Sequence, residues 1–73
     1  MTNNEQTILD LLPGPDKPGL LLRDIFRKLP ADMKEDAAWD AMSELRRMGA
    51  VEDYEIHHNG GQRLVYRRSG VVA

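Results

Sequence analysis

The apolar spacing of the chain changes at Gly49, and this change divides it into a helical part and a strand part. Before Gly49, apolar residues recur at intervals of three and four, which is typical of amphipathic helices. The stripe that ends at this glycine consists of Ala38, Ala41, Met42, Leu45 and Met48. After it, residues 51–58 and 62–68 have strand patterning and flank an Asn-Gly-Gly turn, which predicts a β-hairpin. The chain is therefore expected to fold as one small α+β domain.

Three helices are predicted before the hairpin. From the apolar spacing and the prolines and glycines that end each run, the predicted ranges are 4–12, 22–29 and 33–48. Thr2 and Glu5 have the spacing of a capping box, in which each side chain accepts from the other residue's backbone amide. Asp32 and Glu35 repeat this spacing before the third helix. Side chains within three residues of each start are thus expected to determine where both helices begin.

The segment between the first two helices is expected to be a stiff loop. Residues 13–19 contain three prolines and two glycines, and proline lacks the amide donor that regular structure requires. Residues 20–22 predict a brief strand directly after this loop. The hairpin is expected over residues 51–68, followed by a tail of residues 69–73.

The turn of the hairpin decides which residues face each other. We expect a three-residue loop, residues 59–61, because it sets Ile56 opposite Leu64. A two-residue loop would set Ile56 opposite Arg63, which mixes an apolar residue with a charged one. The further pairs of the expected register are Tyr54 with Tyr66, Asp53 with Arg67 and Glu52 with Arg68.

The charges are distributed unevenly along the chain. The total of 10 Lys and Arg against 12 Asp and Glu gives a formal net charge of −2. Residues 31–44 hold one base and five acids, whereas residues 56–73 hold three arginines and no acid. The third helix is therefore expected to be acidic and the end of the chain positive.

Composition also excludes several classes of protein. The chain has no cysteine, which excludes disulfides and thiolate zinc sites. Its apolar runs are far shorter than the ~20 residues that a membrane span needs, and its first residues lack the character of a signal peptide. We therefore expect a cytoplasmic protein with no membrane partner.

No catalytic or metal site is predicted. His57 and His58 are neighbours on a strand, where successive side chains point to opposite faces, and no third histidine could complete a metal site with them. No hydroxyl has an inferable partnership with a histidine and a carboxylate. We expect no catalytic residue, no metal, no cofactor and no small-molecule substrate, and therefore not an enzyme.

The order of the elements resembles that of a winged helix-turn-helix domain, in which three helices precede a two-stranded hairpin called the wing. The segment LRDIFRKL at 22–29 looks like the second helix of that family, and LRRMGAV at 45–51 looks like the end of its third helix entering the wing. The resemblance covers about residues 5–68. It implies a small bacterial or phage regulator of transcription that binds double-stranded DNA, with the third helix in the major groove and the wing against the backbone or minor groove.

The outward face of the third helix combines possible DNA contacts with acids. At about 100° per residue, the residues that point away from the buried stripe are Asp36, Asp40, Ser43 and Arg47. The two carboxylates oppose phosphate, since duplex affinity comes mainly from Lys and Arg. At the wing, Arg63 has no acid opposite it in the expected register. The predicted DNA-contacting residues are Trp39, Ser43, Arg47, His57, His58, Arg63 and Arg67.

The second helix carries a basic edge formed by Arg23, Arg27 and Lys28. Such an edge is in most proteins a solvated face. In the winged-helix arrangement it lies near one DNA backbone strand, so it is also a source of weak phosphate contacts.

A second predicted surface runs along one flank of the third helix. This flank consists of Glu35, Trp39, Met42 and Arg46, and Trp and Met are common at protein interfaces. We expect it to mediate a homodimer or to bind a protein partner. Packing of Trp39 at the edge of the core is the competing interpretation. The alternative function is a winged-helix protein-interaction module that uses the acidic third helix and this flank without binding nucleic acid.

Overall fold

Three helices precede the hairpin. In the computed structural model, which describes residues 1–70 except for the side chain of His58, they are α1 (Asn3–Leu11), α2 (Leu22–Arg27) and α3 (Glu35–Arg47). Each bound lies within two residues of the predicted one. Of the predicted tail, residues 71–73 lie outside the described residues.

The predicted capping box at the start of α1 is confirmed. Thr2 Oγ1 accepts a hydrogen bond from the Glu5 amide at 3.1 Å, and Glu5 Oε1 accepts one from the Thr2 amide at 3.2 Å. Because Glu5 is buried, the second bond also gives its carboxylate a donor. A cap of this kind typically stabilises a helix by ~1 kcal/mol.

The predicted capping box at the start of α3 is wrong. Lys34 occupies the N-cap position, and its side chain makes no capping hydrogen bond. The cause is a tight turn before α3, in which the Met33 amide donates to the Pro30 carbonyl at 3.0 Å. This turn places Asp32 two residues before the N-cap position, so its carboxylate does not cap the helix.

Three antiparallel strands form the sheet. They are β1 (Leu20–Leu21), β2 (Val51–His58) and β3 (Gly61–Arg68), in the order β1-β3-β2. The brief strand predicted after the loop is thus β1, with Leu20 opposite Tyr66 and Leu21 opposite Val65. Because β1 pairs with only two residues of β3, the tip of the hairpin extends beyond it.

The predicted register of the hairpin is wrong by one residue. Ile56 lies opposite Arg63 because the turn has two residues, Asn59 and Gly60, with φ angles of 52° and 79°. Positive φ at both positions defines a type I′ turn, which Asn-Gly favours and whose twist matches the strands. Matching apolar side chains across the two strands does not take account of the turn type that Asn-Gly favours. The other predicted pairs are therefore also wrong, and the observed ones are Tyr54 with Val65, Asp53 with Tyr66, Glu52 with Arg67 and Val51 with Arg68.

The core lies between the helices and the inner face of the sheet. Its buried members are Ile8, Leu12, Ile25, Ala38, Ala41, Met42, Leu45, Ala50, Val51 and Tyr66. Met42 is 1% exposed, so the prediction that it contributes to an interaction surface is wrong. The apolar stripe of α3 is wide enough to include it. Truncating a large side chain in this core is expected to cost ~2–5 kcal/mol.

The loop of residues 13–19 packs against the outer face of the sheet. The Gly19 amide donates to the Tyr54 hydroxyl at 2.8 Å, and Arg67 Nη1 donates to the Lys17 carbonyl at 3.2 Å. Gly19 lies so close to β3 that a Cβ there would come within 2.9 Å of Val65 Cγ2. The absence of a side chain at this glycine therefore permits the loop to pack on the sheet.

Candidate nucleic-acid interface

The outward face of α3 is exposed, as its helical spacing predicts. Asp36, Asp40, Ser43 and Arg47 all lie at the surface. Ser43 and Arg47 are one turn apart, so both side chains can reach the same part of a bound molecule. The face therefore has hydrogen-bond donors near the C-terminal end of the helix and anions nearer its start.

Arg47 is bound by an acid of its own helix. Its Nε donates to Glu44 Oε2 at 2.9 Å, and its Nη2 donates to Glu44 Oε1. The hydrogen bonds of this pair lower the pKa of Glu44 and raise that of Arg47, so both groups are charged at neutral pH. Sequence reasoning missed this partner, although an acid three residues before an arginine on a helix is a recognised signal for such a pair.

The predicted flank of α3 is not one continuous surface. Glu35 is exposed and Trp39 is 39% exposed, but Met42 belongs to the core. Arg46 Nη2 lies 3.2 Å from Asp53 Oδ2, which ties this arginine to β2. Trp39 and Glu35 are thus the members of the flank that remain available for contact.

At the wing, the predicted contact residues differ in their surroundings. His57 and Arg63 are exposed, and Arg63 Nη1 donates to the neighbouring Gln62 carbonyl at 3.0 Å. Within the described residues, no ion pair involves Arg63. The side chain of His58, also a predicted contact, lies outside the described part of the chain.

Arg67 is the most constrained arginine of the hairpin. Its Nε lies 2.5 Å from Glu52 Oε1, and its guanidinium carbon lies 4.7 Å from the centre of the Tyr54 ring. Hydrogen bonding to Glu52 is the main reason that the pKa of Arg67 is raised. Through these contacts and its hydrogen bond to the Lys17 carbonyl, Arg67 holds the loop of residues 13–19 on the sheet.

A groove lies between the start of α2 and the hairpin tip. Its volume is about 440 Å³, and its lining residues are Leu21, Leu22, Arg23, Asn59, Gln62, Arg63, Leu64 and Tyr66. The apolar part of the lining includes Leu64, which is 44% exposed, and two arginines contribute to the rest. The Arg23 side chain is 63% exposed and lies 3.8 Å from Asp24, which is a weak contact.

Sequence reasoning found Arg23 and Arg63 separately but did not bring them together. The pairing of Leu21 with Val65 places the start of α2 beside β3 and the tip of the hairpin. A two-residue strand gives no sequence signal for its partner, so this long-range juxtaposition was not predictable from local pattern.

Other kinds of site are not evident in the described residues. Within residues 1–70, none of the helices has the length and apolar character needed to cross a membrane. The same residues contain no cluster of three or more side chains able to hold a metal ion. The groove and the outward face of α3 are therefore the surfaces with distinctive chemistry.

Comparison with known proteins identifies the fold. No family model matches the chain, and no curated protein matches it in sequence. Among solved structures, the chain is similar to a PadR family transcription regulator from hypervirulent Clostridium difficile R20291, with a TM-score of 0.72 and 18% sequence identity. The match covers 94% of this chain and 74% of the other. The winged-helix fold expected from the order of the elements is thus confirmed.

Proposed function

We propose that this chain is a cytoplasmic regulator of transcription that binds double-stranded DNA through the groove and the outward face of α3. The observation that carries the proposal is that Arg23 and Arg63 line the same groove, at the junction of α2 and the wing. The winged-helix neighbour, itself a transcription regulator, supports the same function by analogy of fold.

We expect the groove to receive a backbone strand of DNA, because two arginines contribute to its lining. A phosphate between Arg23 and Arg63 would accept hydrogen bonds from two guanidinium groups, whose planar donors suit phosphate oxygens. Since Arg63 has no ion pair among the described residues, a phosphate there would replace water and not a carboxylate. Such contacts fix the position of the protein on the duplex and carry no sequence information.

The outward face of α3 would then meet the base edges. Ser43 and Arg47 supply donors there. Asp36 and Asp40 lower the affinity for any duplex, except where a carboxylate accepts a hydrogen bond from a cytosine amino group. Binding therefore depends on a few arginines and is expected to weaken steeply with salt.

Salt titration of two matched variants tests this proposal. Arg63→Ala and Arg23→Ala should each weaken binding to duplexes of any sequence and lower the slope of log K against log salt by about one. Lys17→Ala is the control, because it removes the same charge from an exposed residue of the loop at the outer sheet face. If both arginine variants bind like the Lys17 variant, the groove does not receive DNA.

A dimer would double the number of phosphate contacts, and Trp39 is the side chain that we expect at its interface. A central aromatic anchor is worth ~2 kcal/mol or more, so Trp39→Ala should raise the dimer dissociation constant by about 30-fold. Sedimentation velocity measures this change, and circular dichroism checks that the helices persist. A wild-type protein that stays monomeric at several hundred micromolar contradicts the dimer.

A further inference from the structure

We propose that Glu44 is a positioning residue that holds Arg47 ready to read a guanine in the major groove, an inference that rests on the proposed DNA-binding function. The two side chains form a two-point contact on the surface of α3, through Arg47 Nε with Glu44 Oε2 and Arg47 Nη2 with Glu44 Oε1. Both are charged, since their mutual hydrogen bonds lower the pKa of one and raise that of the other.

This contact leaves one edge of the guanidinium available. Arginine has five N–H donors in a planar fork, and Glu44 uses the edge formed by Nε and Nη2. The end edge, formed by Nη1 and the second hydrogen of Nη2, makes no hydrogen bond with any described residue. That edge can donate two parallel hydrogen bonds, which is the pattern that O6 and N7 of guanine accept.

The location of the pair suits a base contact better than a phosphate contact. The Arg47 side chain is 71% exposed on the outward face of α3, one turn after Ser43. This is the face that a winged-helix domain presents to the major groove. The phosphate contacts are expected at the groove lined by Arg23 and Arg63, which is built from other elements.

The pair also explains how an acidic helix could bind DNA selectively. An unpaired arginine could contact phosphates of any sequence, whereas a carboxylate beside it repels phosphate and holds the guanidinium in one orientation. Glu44 should therefore lower binding to unrelated duplexes and preserve binding where a guanine meets Arg47. The opposite idea, that Glu44 only competes with DNA for Arg47, predicts a gain of affinity for every sequence when Glu44 is removed.

Selection from a random duplex library, followed by affinity measurements, separates these ideas. The wild-type protein should select a site with one guanine whose replacement weakens binding by about five- to 150-fold, and Arg47→Ala should abolish this preference. Glu44→Ala should reduce the preference by about threefold or more while binding to an unrelated duplex stays equal or rises. Glu44→Gln keeps one acceptor for Arg47 and should retain part of the preference.

Asp40→Ala is the matched control, because it removes a carboxylate from the same face without a hydrogen bond to Arg47. It should raise the affinity for an unrelated duplex and leave the guanine preference unchanged. The inference is overturned if Glu44→Ala keeps the full preference, or if it changes binding as Asp40→Ala does. A wild-type protein that binds no duplex at all overturns the proposed function itself, which is a different result from selective binding that ignores Glu44.

Discussion

Arg63 and Arg67 lie on the same face of β3, yet only one of them is held by its own chain. Arg67 contacts the Glu52 carboxylate at 2.5 Å, the Lys17 carbonyl at 3.2 Å and the Tyr54 ring at 4.7 Å from its centre. Arg63 is exposed and has no ion pair among the described residues. The first stabilises the fold, and the second is available to an anion.

This difference shows that the number of arginines in a segment overstates the positive charge it can offer to a partner. A guanidinium that already has a carboxylate must lose it, or share it, before a phosphate can bind. Residues 56–73 contain three arginines; among the described residues Arg67 has a carboxylate partner, Arg63 and Arg68 have none, and Arg63 is the one that lines the groove. The contrast follows from what lies opposite each arginine on β2, which is Glu52 for Arg67 and Ile56 for Arg63.

The largest effect is expected where the loop meets the sheet. In Gly19→Ala the new Cβ would lie 2.9 Å from Val65 Cγ2 and 3.0 Å from backbone atoms of Tyr66, which cannot move aside easily. Overpacking of this kind costs ~1–3 kcal/mol. In a domain of this size each kcal/mol lowers the melting temperature by about 4–8 °C, which a thermal melt detects.

Gly61→Ala is the matched control for this prediction. A Cβ at Gly61 would come 3.0 Å from Arg63 Nη1, the far end of a flexible side chain that can rotate away. Its melting temperature should therefore fall less than that of Gly19→Ala. Equal stability of the two variants would mean that the loop is not fixed to the outer face as described.

The local features of the fold were predictable, whereas those that depend on distant partners were not. The Thr2 and Glu5 cap needs only neighbouring residues, and it was predicted correctly. Asp32 had the same local spacing but failed as a cap, because the turn at Pro30 set where α3 begins.

The hairpin and the groove show the same limit of local reasoning. Asn59 and Gly60 determine the register through their backbone angles, which apolar pairing alone does not reveal. Arg23 and Arg63 line the same groove because β1 pairs with β3. A strand of two residues is too short for its sequence to predict which strand it pairs with. The residues of the candidate site were therefore named individually, but their arrangement required the structure.

A pair of arginine variants tests the different roles of Arg63 and Arg67 in β3. Arg67→Ala should lower the melting temperature, because it removes the ion pair with Glu52 and the contact with Tyr54. Arg63→Ala should leave the melting temperature unchanged and weaken DNA binding. Thermal melts and DNA titrations of both proteins check this, and a loss of stability in the Arg63 variant would speak against the division of roles.

The smallest effect concerns the acidic end of α3. Asp40→Lys replaces an anion on the outward face with a cation, so it should tighten DNA binding and steepen the salt dependence by about one to two phosphate contacts. Titration at low and moderate salt measures both quantities. Unchanged affinity would show that this part of α3 does not approach DNA.

The most direct test of DNA binding is a titration of the protein with mixed-sequence duplex DNA, recorded by amide chemical shifts at low and moderate salt. Binding should weaken with salt, and shifts should appear at Arg23, Arg63, Ser43 and Arg47. Residues 13–19 and Arg67, which contact each other outside the groove, should change little. Absence of binding, or shifts that centre on the loop and Arg67, would contradict DNA binding through the groove and α3.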